Sequence, residues 1–174
     1  MKKLLLTTAA VMLFSAAAFA APKTVQMSAI SEIGPTDPVG TITFEDSKKG
    51  LVVKTNLWGL PPGQHGFHLH QNPSCDGAMQ EAIAVPGGAA GGHYDPMATG
   101  KHMGPESKEG HKGDLPLITV NDAGKSKQTL LAPNLKLADL ANRSVIIHAG
   151  GDNYSDQPQP LGGGGRRIAC GIIN

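Results

Sequence analysis

Apolar and polar residues alternate along the chain in short runs separated by polar turns. Val39 to Phe44 carries Ile42 and Phe44 on one side and Thr41 and Thr43 on the other, the period-two pattern of a half-buried strand. Runs of similar character cover Val25–Ile30, Leu51–Trp58, His65–His70, Leu117–Val120, Lys127–Leu131, Arg143–His148 and Ile168–Ile173, giving eight predicted strands. Only Leu135–Leu140 reads as a short helical turn. Many short strands with turn signals between them favour an all-β antiparallel sandwich or barrel. Two connections break the pattern. Gln71–Leu115 contains no predicted element, and Ala149–Arg166 is polar and ends in four consecutive glycines, Gly162 to Gly165. Structureless loops of this length are uncommon in compact domains and are usually functional or disordered.

The N-terminus follows a different rule. Met1-Lys2-Lys3 is positive, Leu4–Phe14 is mostly apolar, and Ala18-Phe19-Ala20 fits a small-x-small cleavage pattern. Residues 1–20 therefore read as a secretory signal peptide and residues 21–174 as the working domain. The apolar stretch is short for a membrane span, although an uncleaved anchor is the alternative. The 174 residues hold 15 Lys+Arg and 14 Asp+Glu, a formal charge of +1. Loss of Lys2 and Lys3 with the signal turns this into −1. No basic excess points to nucleic acid, and no later segment is long and apolar enough for a membrane, so neither partner is expected after signal removal. Export implies the periplasm, an oxidising space in which the two cysteines, Cys75 and Cys170, are able to pair.

Seven histidines are the compositional oddity. In His65-Gly66-Phe67-His68-Leu69-His70, His68 and His70 lie two apart and share one strand face, while Phe67 and Leu69 share the other. Two imidazoles side by side on a strand suit a metal that prefers nitrogen, although an isolated His-x-His is more often an incidental pair. His93, His102, His111 and Asp114 fall within one glycine-rich stretch. Three imidazoles and a carboxylate make a closed tetrahedral set that suits zinc, and a loop without a core can be ordered by metal instead. His148 ends the run Ser144-Val145-Ile146-Ile147, and Arg167 stands three residues before Cys170. Taken alone, these two are a strand-end histidine and a surface cation.

Together these blocks closely resemble the copper/zinc superoxide dismutases, in their bacterial exported branch, over Val25–Ile173. The carrying motifs are Gly63-Gln64-His65-Gly66-Phe67-His68-Leu69-His70, Gly91-Gly92-His93-Tyr94-Asp95-Pro96, Gly100-Lys101-His102-Met103-Gly104-Pro105 and Gly110-His111-Lys112-Gly113-Asp114-Leu115-Pro116. Further along stand His148-Ala149-Gly150-Gly151-Asp152-Asn153 and Gly165-Arg166-Arg167-Ile168-Ala169-Cys170-Gly171. The resemblance implies an eight-stranded Greek-key barrel with one copper and one zinc ion per subunit. Copper would take His68, His70, His93 and His148. Zinc would take His93, His102, His111 and Asp114, with His93 bridging the two. The resemblance further implies a Cys75–Cys170 disulfide, an Asp152 carboxylate that orients His68 and His102, and an Arg167 that draws the substrate anion toward copper. His93 and Arg167 would be the catalytic pair, and His65, on the strand face opposite His68, is read as structural. The implied activity converts superoxide to oxygen and hydrogen peroxide by alternating copper(II) and copper(I), protecting the cell envelope. A periplasmic metal-delivery relative would lack part of the copper set or the arginine, and both are present. A homodimer is compatible with the resemblance, as is a monomer.

Overall fold

A computed structural model describes residues 20–174; the expected signal segment, apart from Ala20, lies outside the described residues. Eleven strands occur among them: β1 (Lys23–Ile30), β2 (Pro35–Ser47), β3 (Gly50–Leu57), β4 (Gly63–His65), β5 (Phe67–His70), β6 (Ala78–Gln80), β7 (Ile83–Val85), β8 (Ile118–Val120), β9 (Thr129–Ala132), β10 (Arg143–His148) and β11 (Arg167–Ile173). The helical turn expected at Leu135–Leu140 is a single 3-10 turn over Leu137–Leu140.

Seven strands form one antiparallel sheet in the order β5-β10-β11-β1-β2-β3-β9. Sequence-distant strands are neighbours, so the chain crosses over between the two ends of the sheet. A separate β4–β8 ribbon is linked along the chain to both ends. β4 leads into β5 across Gly66, and β8 leads to β9 through a turn in which the Asn121 N–H donates to the Lys125 carbonyl at 2.9 Å. The open edge of β5 is covered as well. Leu69 N–H donates to Gly113 O at 2.9 Å and Leu115 N–H to Phe67 O at 3.3 Å, so the long loop after β5 returns as its hydrogen-bonding partner. An edge covered in this way offers no template for pairing with other chains.

Beyond shifts at strand ends, such as β2 running over Pro35–Ser47 where Val39–Phe44 was expected, two features depart from the expected strands. The predicted strand over His65–His70 is broken at Gly66, where the pairing partner changes from β8 to β10. At the break Gly66 N–H donates to Gly150 O at 2.7 Å and His148 N–H donates to Gly66 O at 2.8 Å. The β6–β7 hairpin is an element where none was expected. Its two-residue turn is Glu81-Ala82, both at positive φ (49° and 69°). Such turns usually carry Asn or Gly, so the usual sequence signal is absent.

The alternation read from sequence is realised in the core. Ile42, Phe44, Leu51, Phe67, Leu69, Val145 and Ile147 are all fully buried in one cluster. β5 serves two environments at once. Phe67 and Leu69 anchor it in the apolar core, and His68 and His70, equally buried, point to the other side. β2 needs a glycine at Gly40, whose φ is +122° and where an added Cβ would lie 2.8 Å from Leu57 Cα. A smaller apolar cluster of Ile30, Cys75, Ala90, Ile146 and Cys170 surrounds the Cys75–Cys170 disulfide. That bond spans 95 residues, and chain-entropy reasoning assigns a loop of this size about 4–5 kcal/mol.

Because Phe67 holds both the core and the strand that carries the histidines, Phe67→Ala should destabilise the chain by about 3–5 kcal/mol. Denaturant unfolding measures this, and a loss below about 1 kcal/mol would show that β5 is not anchored through its apolar face.

Candidate metal centre

Six histidines and two aspartates converge at one end of the sheet. β5 contributes His68 and His70, and β10 ends in His148. The long loop contributes His93, His102, His111 and Asp114; its residue His93 bridges to His70 and Asp114 bridges to His68 in the backbone pairing. Asp152 comes from the loop after β10. All eight are buried. The His68 and His93 rings stack with centroids 3.9 Å apart, and His70 and His148 lie 5.1 Å and 6.1 Å from His93.

The hydrogen bonds set which nitrogen of each ring is free. His68 Nε2–H donates to Asp152 Oδ2 at 2.8 Å, leaving Nδ1. His70 Nδ1–H donates to the Gly91 carbonyl at 2.9 Å, leaving Nε2. His148 Nδ1–H donates to the Gly165 carbonyl at 3.0 Å, leaving Nε2. His102 Nε2–H donates to Asp152 Oδ1 at 2.7 Å, leaving Nδ1. The remaining nitrogens, with His93 Nε2 and His111 Nδ1, are buried and without hydrogen-bond partners. Orphaned buried nitrogens are costly. Six of them aimed into one space are the arrangement that a metal with nitrogen preference satisfies.

Donor atoms within 4.8 Å of one another fall into two groups, His68-His70-His93-His148 and His68-His93-His102-Asp114. The first coincides with the copper set expected from sequence. The second has His68 where sequence placed His111. His111 Nδ1 nevertheless lies 3.5 Å from Asp114 Oδ1, while His93 Nδ1 lies 3.0 Å from the same oxygen and His102 Nδ1 3.0 Å from Oδ2. Asp114 is held in place by the Met103 and Gly104 N–H groups, at 3.2 and 3.3 Å.

His65 stands apart from the cluster. Its Nδ1 faces the His148 carbonyl at 2.7 Å and its Nε2 the Pro61 carbonyl at 2.8 Å, so both nitrogens are engaged with backbone. Arg167 pairs with His148 across β10 and β11. Its Nη1 donates to Gly87 O at 2.5 Å and its Nη2 to Gly91 O at 2.6 Å. Gly91 O thus accepts from both Arg167 and His70. Sequence reasoning missed Asp156, which accepts from the His102 and Leu161 N–H groups at 2.9 and 3.1 Å. It also missed Gly162, where an added Cβ would lie 2.8 Å from His102 Nε2 and would collide with the Asp152 carboxylate. Neither carries a ligand-type spacing, so neither stands out in the sequence.

Burial first, then the positive charge of neighbours, pushes His68 and His70 well below their ordinary value. Burial likewise pulls His148 down to about 4 against the hydrogen bond to Gly165. These rings are neutral at pH 7, so they can coordinate without first losing a proton. His102 goes the other way. Burial opposes its charge, but the Asp114 and Asp152 carboxylates outweigh burial and raise it to about 9. Both carboxylates would be raised by burial, yet their histidine partners hold them well below the usual range.

Comparison with known proteins agrees with this architecture. Residues 39–173 match the family model for copper/zinc superoxide dismutase. A superoxide dismutase [Cu-Zn] of Brucella melitensis is 48% identical over 174 residues, covering 99% of each chain. The solved Cu/Zn superoxide dismutase of Brucella abortus superposes with a TM-score of 0.86 at 50% identity, over 88% of this chain and all of that one. The solution structure of the monomeric copper, zinc superoxide dismutase of Salmonella enterica gives 0.79 at 46% identity, over 88% and 100%. The chain belongs to the copper/zinc superoxide dismutase family, with that family's Greek-key barrel.

The histidine shifts predict a pH dependence for protein stripped of metal. A neutral His148 contributes stability that is complete above its ordinary pKa of 6.5 and is lost as pH falls toward about 4, roughly 3 kcal/mol by linkage. His68 and His70 act in the same direction. The charged His102 contributes stability that is complete below pH 6.5 and is lost only as pH rises through about 9, outside this window. The denaturant midpoint of chelator-treated protein should therefore fall between pH 6.5 and 4. A flat profile there would contradict the buried neutral rings.

Proposed function

We propose that the chain is an exported superoxide dismutase that holds one copper and one zinc ion per subunit and protects the cell envelope. The observation that carries the reading is the set of six orphaned buried imidazole nitrogens. His68 has one free nitrogen and cannot serve two metals. Assigning it to copper with His70, His148 and His93 Nε2 leaves His93 Nδ1, His102 Nδ1, His111 Nδ1 and Asp114 for zinc. This division uses every orphaned nitrogen once. It yields a four-imidazole site of the kind copper(II) favours and a three-imidazole, one-carboxylate site of the kind zinc favours. Residues 1–20 would direct the chain to the periplasm and be removed there.

Copper held by His68, His70, His93 and His148 would supply one-electron redox chemistry, through which one superoxide would be oxidised to oxygen and a second, with two protons, would be reduced to hydrogen peroxide. The protein's part is attraction and protons. Arg167 keeps its charge and is fixed by two carbonyls, one shared with the copper-side residue His70. A fixed cation at the site attracts a small anion even though the exported chain is slightly negative. His93 has one nitrogen toward each proposed metal, and its Nε2 is the atom that would take up one proton and pass it to the reduced product, with solvent water supplying the second. Asp152 keeps His68 and His102 in the tautomers that leave Nδ1 free.

Metal-loaded protein should consume superoxide catalytically, with a rate that falls as salt is added. Copper-loaded protein without activity would overturn the enzyme reading. Arg167→Ala should lower the rate roughly tenfold with copper still bound, and copper loss would contradict its assigned role. The metal division has its own check. His111→Ala should lose zinc and keep copper in metal analysis, and zinc that stays in His111→Ala but leaves in His68→Ala would give the zinc position to His68.

A further inference from the structure

Arg143 opens β10 and ligates nothing, yet it touches two residues that each follow a proposed ligand. Its guanidinium carbon lies 3.5 Å from the centre of the Tyr94 ring. Its Nη1 donates to the Gln71 carbonyl at 3.1 Å and its Nε to the Asp139 carbonyl at 2.9 Å. Tyr94 follows His93, and Gln71 follows His70.

The backbone beneath this cation carries the ligands. Tyr94 N–H donates to Leu69 O at 2.8 Å, Gly113 N–H to Tyr94 O at 2.8 Å and Gln71 N–H to Gly92 O at 3.1 Å. Leu69 lies between His68 and His70, and Gly113 precedes Asp114. The end of β5, the segment around His93 and the segment before Asp114 are therefore one hydrogen-bonded patch, in which His70 faces His93. The Tyr94 ring packs against the main core cluster on this patch.

We propose that Arg143 is a positioning residue for the bridging His93, acting through Tyr94 and Gln71. It clamps the His93 segment to the end of β5, so that His93 Nε2 stays on the side of His68, His70 and His148 while Nδ1 stays on Asp114. The clamp needs a flat cation that stacks on a ring and donates from its edges at the same time, which guanidinium does and ammonium does not. Its contacts are an aromatic face and two carbonyl oxygens, which fix a location instead of neutralising a charge. The proposal rests on the metal assignment given under Proposed function.

The test uses full-length domain loaded with copper and zinc. The copper(II) electron paramagnetic resonance spectrum reports the geometry around His93, and zinc release to a chelator reports the other side of the bridge. Tyr94→Phe keeps the ring and should match wild type in both. Arg143→Gln and Tyr94→Leu should shift the spectrum in the same sense and speed zinc release about tenfold, and the double variant should release no faster than either single one. Should Arg143→Gln fail to fold, Arg143→Lys keeps the charge and should release zinc at an intermediate rate. A native spectrum and native zinc release in Arg143→Gln or Arg143→Lys, with only a lower unfolding midpoint, would overturn the proposal. Additive effects in the double variant would also overturn it. A wild-type chain that gives no two-metal spectrum would instead overturn the assignment underneath, a result distinguishable because it appears before any substitution.

Discussion

Packing six imidazoles and two carboxylates into one buried space is the constraint on which the rest of this structure depends. Apolar burial cannot compensate for unpaired polar atoms. The fold instead engages one nitrogen of each of four rings with a fixed oxygen. The oxygens are Asp152 Oδ2 for His68, Asp152 Oδ1 for His102, Gly91 O for His70 and Gly165 O for His148. Every such hydrogen bond also selects the opposite nitrogen, so the donor set is decided by its outer partners as much as by the ligands themselves. Asp152 is the strongest case, since its two oxygens serve His68 and His102, the rings proposed to serve different metals.

The same oxygens tie the centre to the rest of the chain. Gly91 O joins His70 to Arg167, and Arg167 also draws on Gly87 O. The segment holding both carbonyls follows Cys75, whose disulfide to Cys170 lies three residues beyond Arg167. The loop after β10 is joined on its own account. Asp156 accepts from the His102 N–H, and Gly162 leaves no room for a side chain beside Asp152. Two long loops without a core of their own are thus ordered by polar contacts that converge on one cluster.

Much of this was legible in the chain. Strict alternation at Val39–Phe44 and Phe67–Leu69 located buried strand faces, because a period of two has a single structural meaning once one side is apolar. The resemblance supplied the role of Asp152, with its spacing from His148 in support. Other features carry no local signal. Gly66 reads as one glycine in a strand, and only the change of partner from β8 to β10 makes it a break. The β6–β7 turn is built from Glu81 and Ala82 at positive φ, a conformation that those residue types do not announce. Asp156, Gly162 and Arg143 meet their partners only once the chain has folded.

That last group bears on how the centre can work repeatedly. If His93 bridges the metals as proposed and takes up and gives back a proton at Nε2, its backbone has to stay fixed, or each cycle would loosen the segment that carries it. The backbone around His93 is fixed from three directions. Tyr94 is hydrogen-bonded to Leu69 on one side and Gly113 on the other, and its ring lies beneath the Arg143 guanidinium. His93 Nδ1 meanwhile stays 3.0 Å from Asp114, whose other oxygen is held by two backbone N–H groups. Freedom is left at Nε2, the one His93 nitrogen without a hydrogen-bond partner. A fixed main chain with one adaptable nitrogen would confine change to the atom proposed to carry the proton, which is the condition for a preorganised site to react without rebuilding itself.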